Sequence, residues 1–293
     1  MRRRGCAGAN GETEMVDYHG RFVWYELITT DVAAAQAFYT NVLGWGARDA
    51  STPGLPYTLF TAGNASVGGL MDLPDEAKKK GATPRWVGYV GVKDVDATAD
   101  RLKALGGAVY VPPTNSNIGR ISIVGDPQAA NLALVQGLKT SQRQYAEFGK
   151  PGRVGWHELL AADWRKAFAF YSEVFGWQRA AAGIDEADGY QVFSAGGQAI
   201  GGMSNKRPTD TIPYWVYYIR VDDIEAAVER VQTAGGRIFE SPFQMPGRSW
   251  IARCGDPQGA AFALQGERNR DTVGWSTEWG GFSSKGKLVK SPP

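Results

Sequence analysis

Residues 20–45, GRFVWYELITTDVAAAQAFYTNVLGW, align without a gap to residues 152–177, GRVGWHELLAADWRKAFAFYSEVFGW, at an offset of 132. The echo continues: PRWVGYVGVKDV (84–95) answers PYWVYYIRVDDI (213–224), and GDPQAANLAL (125–134) answers GDPQGAAFAL (255–264). A match of this length is a duplication, so the chain folds as repeated units and not as one undivided core. It also supplies an internal comparison. Where the copies agree, both sites are built alike; where they differ, one has lost or gained chemistry. With 293 residues in all, each half can bury a core of its own.

Each half divides again. Residues 22–29 alternate large and small groups as a strand does. Asp31 offers a side chain that caps a helix N-terminus, and the helix through Phe38 and Tyr39 ends at Gly44. Short strands follow near 57–63 and 68–70. A second unit repeats the order, with a strand at 86–92, Asp94 as cap, a helix stopped by Gly106–Gly107, and strands at 108–111, 120–124 and 131–136. The second half reproduces all of this, its helices starting at Asp163 and at Asp222 or Asp223. The predicted class is α+β: strand, helix, three strands, four times over, at about 20–73, 84–137, 152–205 and 213–266. One small helix covers only one face of such a sheet, so two units should curl together around a cavity. Pairing within each half and pairing across halves both remain open. Segment 138–151 reads as a polar linker between domains 20–137 and 152–266, and segments 1–19 and 267–293 as unstructured tails.

Composition excludes several classes. Net charge is +2, and no long basic run follows Arg2–Arg4, which argues against a nucleic-acid partner. No apolar stretch reaches membrane-spanning length. The start, MRRRGCAGANGETEM, lacks the apolar segment of a signal peptide, and Met15 is an alternative start. Cys6 and Cys254 build no disulfide framework, so a cytoplasmic location is expected. There is no phosphate-binding P-loop, no dinucleotide glycine fingerprint, no G-x-S-x-G elbow and no Cys/His cluster with zinc spacing.

The pattern W-x-E-L-x(3)-D, F-Y, G-W, then V-x-D-V or V-D-D-I, then G-D-P-Q-G/A, resembles the vicinal oxygen chelate superfamily. That group holds glyoxalase I, extradiol dioxygenases and bleomycin-resistance proteins. Within it, the sequence resembles the tandem glyoxalase-like proteins of hydroxylase or glyoxalase/bleomycin-resistance type, and the likeness covers residues 20–137 and 152–266. It implies two cupped-sheet domains, each a pair of βαβββ modules. It also implies a divalent metal held by His, Glu or Gln at four positions per cup. Carried onto this chain, those positions are Trp24, Gly69, Val87 and Ala133, and Trp156, Gly202, Val216 and Ala263. None supplies a metal ligand. A slip of one residue would bring in Tyr25 or His157 but would not repair Ala133 and Ala263. No metal cofactor is therefore expected, and glyoxalase I and extradiol chemistry lose their centre.

Strand side chains alternate faces. With Trp24 in the cavity, Glu26 and Ile28 join it; so do Trp156, Glu158 and Leu160 in the other half. Val87 shares a face with Tyr89, and Val216 with Tyr218. Tyr25 and His157 then point the opposite way, toward the covering helix. Small residues at the ligand positions leave room for a flat aromatic guest against Trp24 and Trp156, with Tyr57, Tyr89, Tyr190 and Tyr218 as further lining. Glu26 and Glu158 are the catalytic candidates, since a carboxylate beside indole rings has a raised pKa. The competing reading is a carboxylate that only accepts hydrogen bonds. His157 reads as a packed core histidine more than as a catalytic base. Tyr39, Tyr171, Trp45 and Trp177 read as core or cap-packing residues, and Asp126–Pro127 and Asp256–Pro257 as turns. Arg120 and Arg248 read as a matched pair, either on solvated strand edges or facing an anion. The expected function is metal-independent binding of a small aromatic or hydrophobic compound, for sequestration, detoxification or secondary metabolism. The alternative is an enzyme of lyase, isomerase or hydroxylase type that uses Glu26 or Glu158 as general acid/base. A third is that only one half functions. The expected partners are a small molecule, with no nucleic acid and no membrane, in a monomer with pseudo-dimeric halves or in a homodimer.

Overall fold

The computed structural model describes residues 18–138, 149–180, 189–244 and 249–269. Nearly all of the expected tails, most of the expected linker, Cys6, Met15 and Arg248 lie outside the described residues. The first half runs β1 (Phe22–Thr29), α1 (Val32–Leu43), β2 (Gly46–Asp49), β3 (Thr58–Ala62), β4 (Ala65–Asp72), α2 (Asp75–Lys79), β5 (Arg85–Gly91), α3 (Val95–Ala104), β6 (Ala108–Asn115), β7 (Arg120–Gly125) and β8 (Asn131–Gln136). The second runs β9 (Val154–Ala161), α4 (Trp164–Phe175), β10 (Gln178–Arg179), β11 (Tyr190–Ala195), β12 (Gln198–Asn205), β13 (Tyr214–Asp223), α5 (Ile224–Thr233), β14 (Arg237–Gln244), β15 (Trp250–Gly255) and β16 (Ala261–Glu267). This is the predicted order four times, with the short α2 added.

The helix starts follow from aspartate caps. Asp31 accepts from the Ala34 N–H, Asp94 from Ala97, Asp163 from Arg165 and Lys166, and Asp223, rather than Asp222, from Glu225 and Ala226. Gly44 and Gly176 end α1 and α4 in the left-handed conformation, which costs glycine little. None of the described helices is long and apolar enough to cross a membrane.

Each half makes its own eight-stranded sheet, in the orders β2-β3-β4-β1-β5-β8-β7-β6 and β10-β11-β12-β9-β13-β16-β15-β14. Module pairing is therefore within halves. The first strands of paired modules, β1 with β5 and β9 with β13, lie antiparallel at the centre. Glu26 stands opposite both Gly69 and Val87, and Tyr89 opposite Ala133. The second half repeats this with Glu158, Gly202, Val216, Tyr218 and Ala263. Residues paired across strands share a face, so the predicted cup positions do meet.

The opposite faces, with the helices, merge into one core shared by both halves. Duplicated residues hold it reciprocally. Trp45 donates its indole N–H to the Gly152 carbonyl (3.0 Å) and Trp177 to that of Gly20 (2.5 Å). Tyr39 of the first half donates to Asp256 of the second (3.1 Å), while accepting from Trp86 (2.9 Å). Asp126 and Asp256 also close their turns by accepting from the backbone N–H groups of the second and fourth residues after them. Asp256 thus serves both turn and junction. The same types facing each other across the halves make the molecule a pseudo-dimer.

One expectation is corrected here. Tyr25 and His157 do point away from the glutamates, yet they meet each other instead of a helix, with the Tyr25 hydroxyl 2.6 Å from His157 Nε2. Strand parity sets the face. What covers that face is the other half, because the equivalent strand positions meet across the junction.

Candidate functional site

The two cups are built from equivalent residues and wired differently. In the first, Trp24 donates its indole N–H to the Tyr57 hydroxyl (3.2 Å), and Tyr57 donates to Glu26 Oε1 (2.6 Å). Tyr89 donates to Glu26 Oε2. Both carboxylate oxygens are thus occupied. Trp24 is fully buried, and Glu26, Tyr57 and Tyr89 are 5%, 4% and 2% exposed. Burial raises the Glu26 pKa, against the opposing pull of the Tyr57 and Tyr89 hydrogen bonds. Burial first, and the Glu26 charge second, push both tyrosines upward as well, which keeps them hydrogen-bond donors.

In the second cup, Trp156 donates to the Tyr190 hydroxyl (2.9 Å) and Tyr218 donates to Glu158 Oε2. Here a cation enters. Arg253 donates through Nη2 to Glu158 Oε2 (2.7 Å), through Nε to the Tyr218 hydroxyl (3.2 Å), and through Nη1 to Glu240 (2.9 and 3.0 Å). Among the described residues, Glu158 Oε1 receives only the Ser204 hydroxyl, at 3.5 Å. Trp156 and Tyr214, which pack on the apolar patch of this cup, are partly exposed.

The copies diverge at register. Glu240 stands opposite Arg253, and at the same rungs of the first sheet Val111 stands opposite Ile123. Ser204 follows Gly202 by two residues, as Met71 follows Gly69. The second cup carries Arg, Glu and Ser where the first carries Ile, Val and Met. Arg253 and Glu240 escaped the sequence reading. The signal was legible, since Cys-Gly-Asp-Pro in one copy aligns with Val-Gly-Asp-Pro in the other and puts Arg253 over Ile123.

The expected room over Gly69 and Gly202 is taken. A Cβ at Gly69 would overlap the Tyr57 hydroxyl, and one at Gly202 the Tyr190 ring. These glycines seat the protein's own tyrosines. His157 is almost fully buried, and burial lowers its pKa to about 4. Its Nδ1 lies 2.5 Å from the Ile200 carbonyl and its ring stacks on Phe22, with centroids 4.1 Å apart. By strand alternation it faces away from Glu158, its neighbour on β9. Arg120 pairs with Asp96 at the surface (2.6 Å). By strand register the residue at the equivalent rung of the second sheet is Trp250, since Arg120 pairs with Gln136 and Trp250 with Gly266; Arg248 lies outside the described residues.

A divalent metal does not fit these residues. Side chains at the four family positions of each cup are indole, hydrogen, isopropyl or methyl. Among the described residues, no group of three or more His, Cys, Asp or Glu could hold an ion. The carboxylates that are present are committed: Glu26 to two tyrosines, and Glu158 beside a guanidinium that would repel a dication.

Comparison with known proteins agrees with the geometry. Residues 21–132 and 153–264 each match the Glyoxalase/Bleomycin resistance protein/Dioxygenase superfamily. CFP32 of Mycobacterium tuberculosis, a glyoxylase by name, is 33% identical over 245 residues, covering 82% of this chain and 92% of that protein. The anthracycline biosynthesis protein DnrV of Streptomyces peucetius is 32% identical over 259 residues, covering 84% and 92%. Among solved structures, the 2,3-dioxygenase LapB from Pseudomonas sp. KL28 superposes with a TM-score of 0.60 at 13% identity, covering 88% of this chain and 96% of that one. The Mn(II)-bound glyoxalase from Novosphingobium aromaticivorans gives 0.58 at 14%, covering 86% and 83%, a likeness of fold alone. With both repeats matched and the module order reproduced in each half, the chain belongs to the Glyoxalase/Bleomycin resistance protein/Dioxygenase superfamily as a tandem, two-domain member.

Proposed function

We propose that the protein binds a small aromatic or hydrophobic compound without a metal, in sequestration, detoxification or as an accessory of secondary metabolism. The observation that carries this reading is the replacement of metal-ligating side chains by indole, methyl and hydrogen in cups that keep aromatic walls. Aromatic walls with a few fixed polar groups suit a planar, weakly polar guest. The similarity to an anthracycline biosynthesis protein supports the accessory role in secondary metabolism. The expected location is cytoplasmic, and the expected form is a monomer with pseudo-dimeric halves or a homodimer.

A second reading has its own support in the upward pKa of Glu26 and the under-used Oε1 of Glu158. In it, a cup glutamate is general acid/base in a lyase, isomerase or hydroxylase-type step on a bound carbonyl or aromatic substrate. Mass spectrometry of compounds that co-purify with the protein tests the first reading, and metal analysis without chelator tests its metal independence. Stoichiometric Fe, Mn, Ni or Zn would sink it. Glu26→Gln and Glu158→Gln separate the readings: a binder keeps most of its affinity, whereas an acid/base enzyme loses turnover at nearly constant affinity.

A further inference from the structure

Buried polar groups in native proteins are almost all hydrogen-bonded. The first cup obeys this without a guest. Tyr57 both accepts and donates, and both oxygens of Glu26 are filled. In the second cup the equivalent chain of bonds is broken in one place. Tyr190 accepts the Trp156 N–H, but among the described residues its own hydroxyl hydrogen has no acceptor. Glu158 is 2% exposed, with both strong donors on Oε2 and, among the described residues, only a 3.5 Å contact on Oε1. One donor and one acceptor are therefore left over on the second cup's side, where the first cup joins Tyr57 directly to Glu26.

The reason is Arg253. It holds Glu158 by Oε2 and is itself held by Glu240 and the Tyr218 hydroxyl. The carboxylate is thus anchored toward β15 and away from β11, which carries Tyr190. We propose that only the second cup admits a guest, and that the guest inserts a hydroxyl group between Tyr190 and Glu158. That group would donate to Glu158 Oε1 and accept from Tyr190, with an aromatic ring beside Trp156 and Tyr214. The chemical class is a neutral hydroxylated aromatic, a phenol or naphthol. A carboxylate guest would meet the carboxylate of Glu158, and an ether could accept but not donate. Arg253 is a positioning residue in this scheme. The first cup is internal support. The inference rests on the reading of the cups as small-molecule sites, and deepens it.

The test uses the full chain labelled with nitrogen-15 at tryptophan. The indole N–H signals of Trp24 and Trp156 are assigned with Trp24→Phe and Trp156→Phe, and the protein is titrated with 2-naphthol and, separately, 2-methoxynaphthalene. The expected result is a saturable shift of the Trp156 signal with 2-naphthol, none at Trp24, and about tenfold weaker binding of the ether, the scale of one lost hydrogen bond to a charged group. Glu158→Gln, which leaves a neutral and weaker acceptor, should narrow that preference, whereas Tyr190→Phe should weaken both compounds alike, because either oxygen can accept from Tyr190. Equal affinity for both compounds means that water satisfies the Tyr190–Glu158 pair, which overturns the inference and leaves the aromatic-binder reading standing. A Trp24 shift equal to that of Trp156 overturns the assignment to one cup. No shift at either indole with either compound overturns both.

Discussion

The two cups start from one ancestral pattern and reach opposite electrostatic solutions for the same buried glutamate. In the first, Glu26 is surrounded by Tyr57, Tyr89 and Trp24, and burial drives its pKa up. In the second, Glu158 has an ion pair with Arg253, which Glu240 supports from the neighbouring strand. One rung of the ladder makes the difference, Val111 with Ile123 against Glu240 with Arg253. A buried carboxylate can be tolerated by neutral donors or by a cation. The first choice fills both carboxylate oxygens; the second leaves one Glu158 oxygen with only a long contact among the described residues.

The largest effect expected from this contrast is at Arg253. Arg253→Met strands the Glu158 carboxylate and should cost about 3 kcal/mol, whereas Ile123→Met should cost less than about 1.5 kcal/mol. Urea denaturation of both variants decides it, and equal midpoints would mean that the ion pair contributes nothing. The next contrast is Tyr25 against His157 at the junction. Burial depresses the His157 pKa from 6.5 to about 4, so the folded protein resists a proton that the unfolded chain accepts. Its contribution to stability should be complete above pH 6.5 and fall by about 3 kcal/mol as pH drops toward 4, because each tenfold loss of proton affinity is worth about 1.4 kcal/mol. His157→Gln should flatten that part of the stability–pH curve, and an unchanged slope would show that other groups carry it.

Smaller effects probe the tyrosines. Tyr57→Phe removes a donor from Glu26 and an acceptor from Trp24, and should cost about 2 kcal/mol. Tyr190→Phe removes only the acceptor of Trp156 and should cost about 1 kcal/mol. Thermal melts giving the reverse order would contradict the wiring described for the cups. Smallest is the turn before each last strand. Ala129 is left-handed (φ 71°) where the other copy has Gly259 (φ 97°). Ala129→Gly should gain up to about 1 kcal/mol, and Gly259→Ala should lose about as much, because a Cβ strains this conformation while glycine gives back part of the gain in chain entropy.

Much of the architecture was legible because it is written in local, repeated signals. Asp31, Asp94, Asp163 and Asp223 cap their helices in the structure as the spacing predicts, since a cap needs only the next three residues. The face shared by Trp24 and Glu26 followed from strand parity, which depends on no partner. The occupancy of the cups was not legible. Gly69 and Gly202 read as empty space, but Tyr57, just before β3, and Tyr190, at the start of β11, fill it, and only the pairing of β3 with β4 and of β11 with β12 brings them there. His157 read as facing a helix because the other half of the molecule is invisible to a local pattern.

By itself, the sequence determined the duplication, the strand–helix–strand order, and the aspartate and glycine boundaries. All of these depend on residue type and short spacing. Tertiary structure alone decided that modules pair within halves, that Tyr25 meets His157, and that Arg253 and Glu240 converge on Glu158. Those outcomes rest on contacts between strands far apart in the chain, where pairing register and the burial of charge, not local preference, select the partner.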